Sequence, residues 1–296
     1  MSTSSPPQAA QDKPTAWRAL TATVRGAVHA ATGLPNQDAV AAHPIGQDGA
    51  VVAVADGHGH QRHFRSARGA RLAVTIASAA AQELTGQLDS LVTVRQLEDE
   101  IRAVLVPAIA ERWRDAVARD LNSEPFTERE EASRAPLDDA VIAYGSTLLL
   151  AVVWRPWLML AQIGDGDIVC ILPDGSALLP VPDDPSLDGR QTSSLCEPCA
   201  VDEFRVAVVD LSVTELLAVM LATDGYGNAQ LADPWAGSFS KDLAELLGKY
   251  DPEWLGSQLP IWAGRCASGD GSADDTTIGL LLAPKSMGRS PEKQVR

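Results

Sequence analysis

The sequence predicts an α+β fold, a four-layer α-β-β-α sandwich of two antiparallel sheets flanked by helices. Three observations lead there. Short apolar runs bounded by Gly, Pro or Asp recur along the chain, as strands do. A long helical stretch separates the first of them from the rest, which favours stacked sheets with helices outside. Pro173-Asp-Gly-Ser176 has hairpin-turn chemistry, so the strands beside it should pair antiparallel.

In chain order, the first strand signal is Ala50-Val-Val-Ala-Val-Ala55. Helical periodicity follows over 66–84 and 94–121. Residues 122–135 form a charged, Pro-containing insertion expected at the surface. Strand signals resume at 146–153, 158–162, 168–172, 204–209 and 216–222. Two more helices are expected at 241–248 and 252–267, the second broken near Pro260, before a last strand at 277–282. The Ser/Pro-rich residues 1–16 and residues 285–296 read as flexible tails around one domain, 17–284.

Composition narrows the function. The 296 residues are 45% hydrophobic and 21% charged, enough to bury a core. The net charge of -15 lies in the second part: residues 1–120 hold 12 basic and 12 acidic residues, residues 121–296 hold 12 and 27. Such acidity argues against nucleic-acid binding, which needs basic patches. The most apolar stretch, 140–154, is too short and interrupted to span a membrane. Four cysteines and a polar start after Met1 predict a cytoplasmic protein without a disulfide framework.

The chemistry sits where apolar strands end in Asp beside Gly: Asp56-Gly57, Gly164-Asp165-Gly-Asp167, Asp224-Gly225 and Asp274-Asp275 after Gly271. Strand ends are rigid, and Gly lets the backbone approach a ligand. Asp-Gly is also ordinary turn chemistry, which suffices for Pro173-Asp-Gly. Four such sites plus Asn36-Gln37-Asp38 outweigh coincidence, and carboxylates without Cys or His partners suit hard cations such as Mg²⁺ or Mn²⁺.

From about Trp17 to Ala283 the chain resembles the metal-dependent protein serine/threonine phosphatases of the protein phosphatase 2C type, especially bacterial members. The ordered motifs are Pro35-Asn-Gln-Asp38, Val54-Ala-Asp-Gly-His-Gly59, Gly69-Ala-Arg-Leu-Ala73, Tyr144-Gly-Ser-Thr147, Ile163-Gly-Asp165, Ala222-Thr-Asp-Gly225 and Asp274-Asp-Thr-Thr277. The resemblance implies that Asp56 bridges two Mn²⁺ or Mg²⁺ ions and that the Gly57 carbonyl binds one of them. It implies that Asp224 and Asp274 complete the other ion's shell, that Asp38 orients water there, and that Asp165 helps form a looser third site. His58 matches the proposed general acid. The reaction implied is hydrolysis of phosphoserine or phosphothreonine by a water activated between the two metals, without a covalent intermediate. The expected partner is a phosphorylated protein, paired with a serine/threonine kinase, and the expected state is a monomer.

Some positions depart from the family pattern. Gln37 stands where many members carry Glu, removing a charge near the metals. The Arg that grips phosphate in animal enzymes falls near Gly33, leaving Arg25, His29 and Arg62 as candidates to replace it. His60 stands in place of a small residue. Arg65, Arg68 and Arg71 read as a solvated helix face. Cys196-Glu-Pro-Cys199 has the spacing of half a zinc site with no second pair, and lies in 183–210, the place of the family's flap beside the active site. The seven Trp residues read as core and edge packing. Two other readings stay open: a binding module that has lost turnover, and a hydrolase of a small phosphorylated molecule.

Overall fold

The computed structural model describes residues 16–88, 92–134, 139–184, 192–231 and 234–284. Both expected tails, except Ala16, and residues 185–191 of the expected flap lie outside these. The elements are β1 (Arg18–Val24), α1 (Ala27–Thr32), β2 (Ala39–Ile45), β3 (Gly49–Ala55), α2 (Ser66–Gln87), α3 (Val94–Glu100), α4 (Val106–Ser123) and α5 (Glu128–Ser133). They continue with β4 (Leu148–Trp154), β5 (Trp157–Ile163), β6 (Asp167–Ile171), β7 (Ala177–Leu178), β8 (Arg205–Asp210) and β9 (Ala218–Ala222). The chain closes with α6 (Asp224–Gly227), α7 (Ala236–Leu247), α8 (Pro252–Cys266) and β10 (Thr276–Leu282).

Two five-stranded antiparallel sheets result, ordered β1-β10-β9-β6-β7 and β2-β3-β4-β5-β8. Alternation along the strands builds three apolar layers. On β3, Val52 and Val54 face the other sheet, with Leu149, Leu158, Val219 and Leu221 in the same cluster. Val51 and Ala53 face outward onto α2 and α4, through Ala73, Ala77, Ile109 and Trp113. On the other sheet, Met220 and Leu280 pack outward against Leu243, Leu255 and Leu259 of α7 and α8. Central strands covered on both faces read as unbroken apolar runs, which is why β3, β4 and β5 stand out in the sequence. The four-layer prediction therefore holds.

The differences have local causes. Edge strands β1 and β2 gave no strand signal, because β1 carries alternating exposed Thr21 and Thr23 and β2 contains Pro44, tolerated at an edge. The expected hairpin forms, with β6 paired to β7 and Gly175 at φ 83. The helix expected over 94–121 is one run through a π-helical segment, Ile101–Leu105, just before Pro107, which lacks the N–H for a regular turn. The break expected at Pro260 does not occur: α8 is continuous, with Leu255, Leu259 and Ala263 buried and Pro260 on its exposed side. No helix among the described residues is long and apolar enough to cross a membrane.

Arg65 and Arg68 also differ from the solvated helix face expected of them. Arg65 is 4% exposed and donates to Glu130 (2.9 and 3.0 Å), to the Glu124 and Pro125 carbonyls and to the Tyr144 hydroxyl. Its guanidinium also lies 4.7 Å from the Phe126 ring centroid. Arg68 pairs with Asp120 and Glu124. The arginines thus pin the 122–135 insertion to the start of α2.

Candidate active site

The acidic residues converge because the strands that precede or follow them end at the same edge of the sandwich. Asp56 follows β3, whose Ala55 pairs with Ala39 just after Asp38. Asp224 follows Ala222 of β9, which pairs with both Asp167 and Ile278. Asp274 and Asp275 precede β10, and Asp165 lies in the turn between β5 and β6. A cleft of ≈ 520 Å³ opens there, lined by Asp56, Gly57, His58, Arg62, Asp165, Asp224 and Asp274 among others.

Asp38 lies behind the cleft at 6% exposure. Its backbone N–H binds Asn36 Oδ1 (2.9 Å), and its Oδ2 accepts from Thr223 Oγ1 (2.9 Å). Thr223 Oγ1 also accepts from the Thr277 N–H (3.0 Å), so one hydroxyl ties the two sheets together beneath the site. Asp56 is held at its backbone by Thr147: its N–H donates to Thr147 Oγ1 (3.0 Å) and its carbonyl accepts from the Thr147 N–H (2.8 Å). Gly57 must be Gly, since a Cβ would stand 2.6 Å from the Gln37 carbonyl oxygen and 2.8 Å from the Ser66 backbone. Asp224 Oδ2 accepts from Asn228 Nδ2 (3.0 Å), and Asp274 is exposed at the rim.

These carboxylates share an electrostatic signature. Burial, then the other acidic groups, pushes Asp38 and Asp56 well above the usual carboxylate range, with Thr277 and Thr223 opposing the rise at Asp38. Asp224 is raised too, by burial and by Asp165 and Asp274. Asp167 is pushed up to about 6 by burial, Asp224 and Asp165. Asp167 was part of the sequence pattern but had been given no role; it opens β6 beside Gly227.

His58 donates its backbone N–H to the Gly145 carbonyl (3.2 Å), and its ring packs edge-on against His63, centroids 4.9 Å apart. Gly145 makes room for both rings: a Cβ there would stand 2.5 Å from His63 and 2.8 Å from His58. Burial, then His63 and Arg62, pushes His58 down to about 3, so the imidazole is uncharged near neutral pH in the free cleft. Arg62 lines the cleft and donates Nε to His63 Nε2 (3.0 Å). Arg25 does not line it; its Nη1 reaches the Leu34 carbonyl at 3.4 Å. Of the flap segment, Thr192, Ser194, Cys196 and Glu197 form one wall, anchored by Ser193 to Gly164 and Ser194 to Ser146. Cys196 is buried and Cys199 exposed, both as free thiols.

The donor set suits a hard cation. Among the described residues no donor group meets buried Asp38 Oδ1, Asp224 Oδ1 or Gln37 Oε1, the neighbour of Asp224 being a second carboxylate, Asp56, and a buried acceptor without a donor is costly unless a cation or water meets it. Among the described residues no three His, Cys, Asp or Glu side chains are gathered closely enough to hold an ion as they stand. Oxygen donors and unmatched acceptors are what suit this edge of the sandwich to a cation.

A family model described as protein phosphatase 2C matches residues 25–260. No curated protein matches the chain in sequence. Among solved structures, the serine/threonine phosphatase Stp1 from Staphylococcus aureus superposes with a TM-score of 0.57 at 13% identity, over 93% of this chain and 98% of that one. The Mycobacterium tuberculosis serine/threonine phosphatase PstP/Ppp gives a TM-score of 0.53 at 19% identity, over 90% and 98%. The catalytic domain of serine threonine protein phosphatase PstP in complex with two manganese ions gives 0.50 at 19% identity, over 90% and 97%. At such identities the likeness speaks for the fold.

Proposed function

Because the chain belongs to the protein phosphatase 2C family, we propose that it hydrolyses phosphoserine and phosphothreonine in proteins at the acidic cleft, with Mn²⁺ or Mg²⁺ bound there. The observation that carries this reading is the convergence of unmatched carboxylate oxygens of Asp38 and Asp224 beside Asp56 at one sandwich edge. Asp56, the Gly57 carbonyl, Asp224 and Asp274 would hold the principal cations, with Asp38 behind them and Asp165 serving a looser site. When bound, the cations supply positive charge that offsets the phosphoryl oxygens and makes water a better nucleophile.

The chain's own residues supply the rest. Thr147 holds the Asp56 backbone, and Thr223 fixes one oxygen of Asp38, leaving the other for the cleft. Arg62, which lines the cleft and donates its Nε to His63, would meet the phosphoryl group. His58 serves the leaving oxygen. A dianionic phosphate beside it opposes the influences that hold its ring uncharged, so its acid role belongs to the substrate-loaded cleft. A serine/threonine kinase would supply the phosphoprotein.

The test is phosphate release from phosphopeptides and p-nitrophenyl phosphate, with and without Mn²⁺, for the wild type and Asp224→Asn. Metal-dependent release by the wild type, lost in the variant, is expected. Equal turnover by both would sink the proposal.

A further inference from the structure

His29, in α1, is buried at 8% exposure, and its ring is held from behind. Its Nδ1 lies 2.8 Å from Asp275 Oδ2. Asp275, 3% exposed, also accepts the Gln37 N–H (2.6 Å) on that oxygen and the Gly26 N–H (2.7 Å) on the other. In the neutral ring, an acceptor so placed puts the proton on Nδ1 and leaves a lone pair on Nε2. That nitrogen faces the cleft, 3.9 Å from where a Cβ on Gly59 would stand. Gln37 Oε1, buried without a partner, lies 3.8 Å from the same point.

Two acceptors on the Gly59 side of the cleft repel a phosphoryl oxygen and suit an O–H donor. We propose that His29 is a further catalytic residue, whose Nε2 accepts a hydrogen bond from the attacking water and aims its lone pair at phosphorus, with Asp275 as the positioning residue that holds the ring. This rests on the phosphatase reading above. It also distinguishes His29 from a phosphate-gripping residue, which would need to donate.

The wild type is assayed first, with Mn²⁺ and p-nitrophenyl phosphate. No release by the wild type would remove the phosphatase reading itself, and this inference with it. Given wild-type turnover, His29→Ala should lower kcat by about 30-fold or more while KM and the Mn²⁺ dissociation constant stay within about threefold. His29→Gln, which returns an amide near the Nε2 position, should recover part of the loss, and Asp275→Asn should fall in kcat as His29→Ala does. Two-bond ¹⁵N–¹H spectra of the metal-free wild type, with the His29 signal assigned by its absence from His29→Gln, should show the Nδ1–H tautomer. An Nε2–H tautomer, a His29→Ala kcat within threefold of wild type, or a raised KM at unchanged kcat would each overturn the proposal.

Discussion

Two clusters of buried charge in this molecule are built on opposite rules. At the start of α2, Arg65 is matched by Glu130, Tyr144 and two carbonyls, and each carboxylate around it has a donor. Hydrogen bonding to Arg65 holds Glu130 down at about 2, and although burial would raise Asp120, Tyr144 and Arg68 hold it below the usual range. At the cleft and just behind it, burial and mutual repulsion push Asp38, Asp56 and Asp224 up, and among the described residues no cationic side chain pairs with them. The first cluster is complete in itself and serves stability. The second holds like charges buried together, which the cations proposed above would offset.

The contrast is broken most sharply by removing a cleft carboxylate. Asp56→Asn should cost at least about 10²-fold in phosphate release, since a bound cation contributes several kcal/mol to the transition state. The same change should leave the metal-free protein as stable as wild type or more so by thermal denaturation, because it relieves like-charge repulsion. Arg65→Met should do the reverse: about 3 kcal/mol of stability lost in urea denaturation, as expected on breaking a buried pair, with kcat of the folded fraction within a few-fold of wild type. A variant that lost activity and kept stability would place Arg65 in the cleft's machinery.

His58 sharpens the functional half. His58→Ala should lower turnover of phosphoserine peptides by about 10²-fold and of p-nitrophenyl phosphate by less than about tenfold, because a nitrophenolate leaves without needing a proton. Equal losses on both substrates would remove its acid role.

The smallest effect expected is in the pH dependence of stability. Glu130 is depressed, so its contribution is present above the unfolded value of about 4.3 and is lost as pH falls toward about 2. Asp167 is raised to about 6, so the folded state binds the extra proton and stability falls as pH rises from about 4 to 6. Melting temperatures of metal-free Asp167→Asn across that window should show a shallower fall than wild type. An unchanged slope would mean that Asp167 does not titrate there.

The two clusters were unequally legible in the chain. Asp56, Asp165, Asp224 and Asp274 stood out because each closes or opens an apolar run beside glycine, a pattern carried by adjacent residues. Arg65 was misread as a solvated helix face, because its partners Glu124, Glu130 and Tyr144 lie 59 to 79 positions away. Thr223 passed without a role inside its motif, and Asp275 was overshadowed by Asp274, although Asp275 fixes Gly26, His29 and Gln37.

By itself the sequence determined what local periodicity and neighbouring residue types determine: the central strands, the long helices, the hairpin at Gly175 and the acidic strand ends. Only the tertiary structure decided how the edge strands pair, that Arg65 is buried, that Arg25 stays off the cleft and Arg62 lines it, and which way the His29 ring presents its nitrogen. The reason is physical. Strand and helix preferences are set by side chains within a few residues, whereas burial, hydrogen-bond pairing and the protonation of a carboxylate or imidazole depend on groups that only folding brings near.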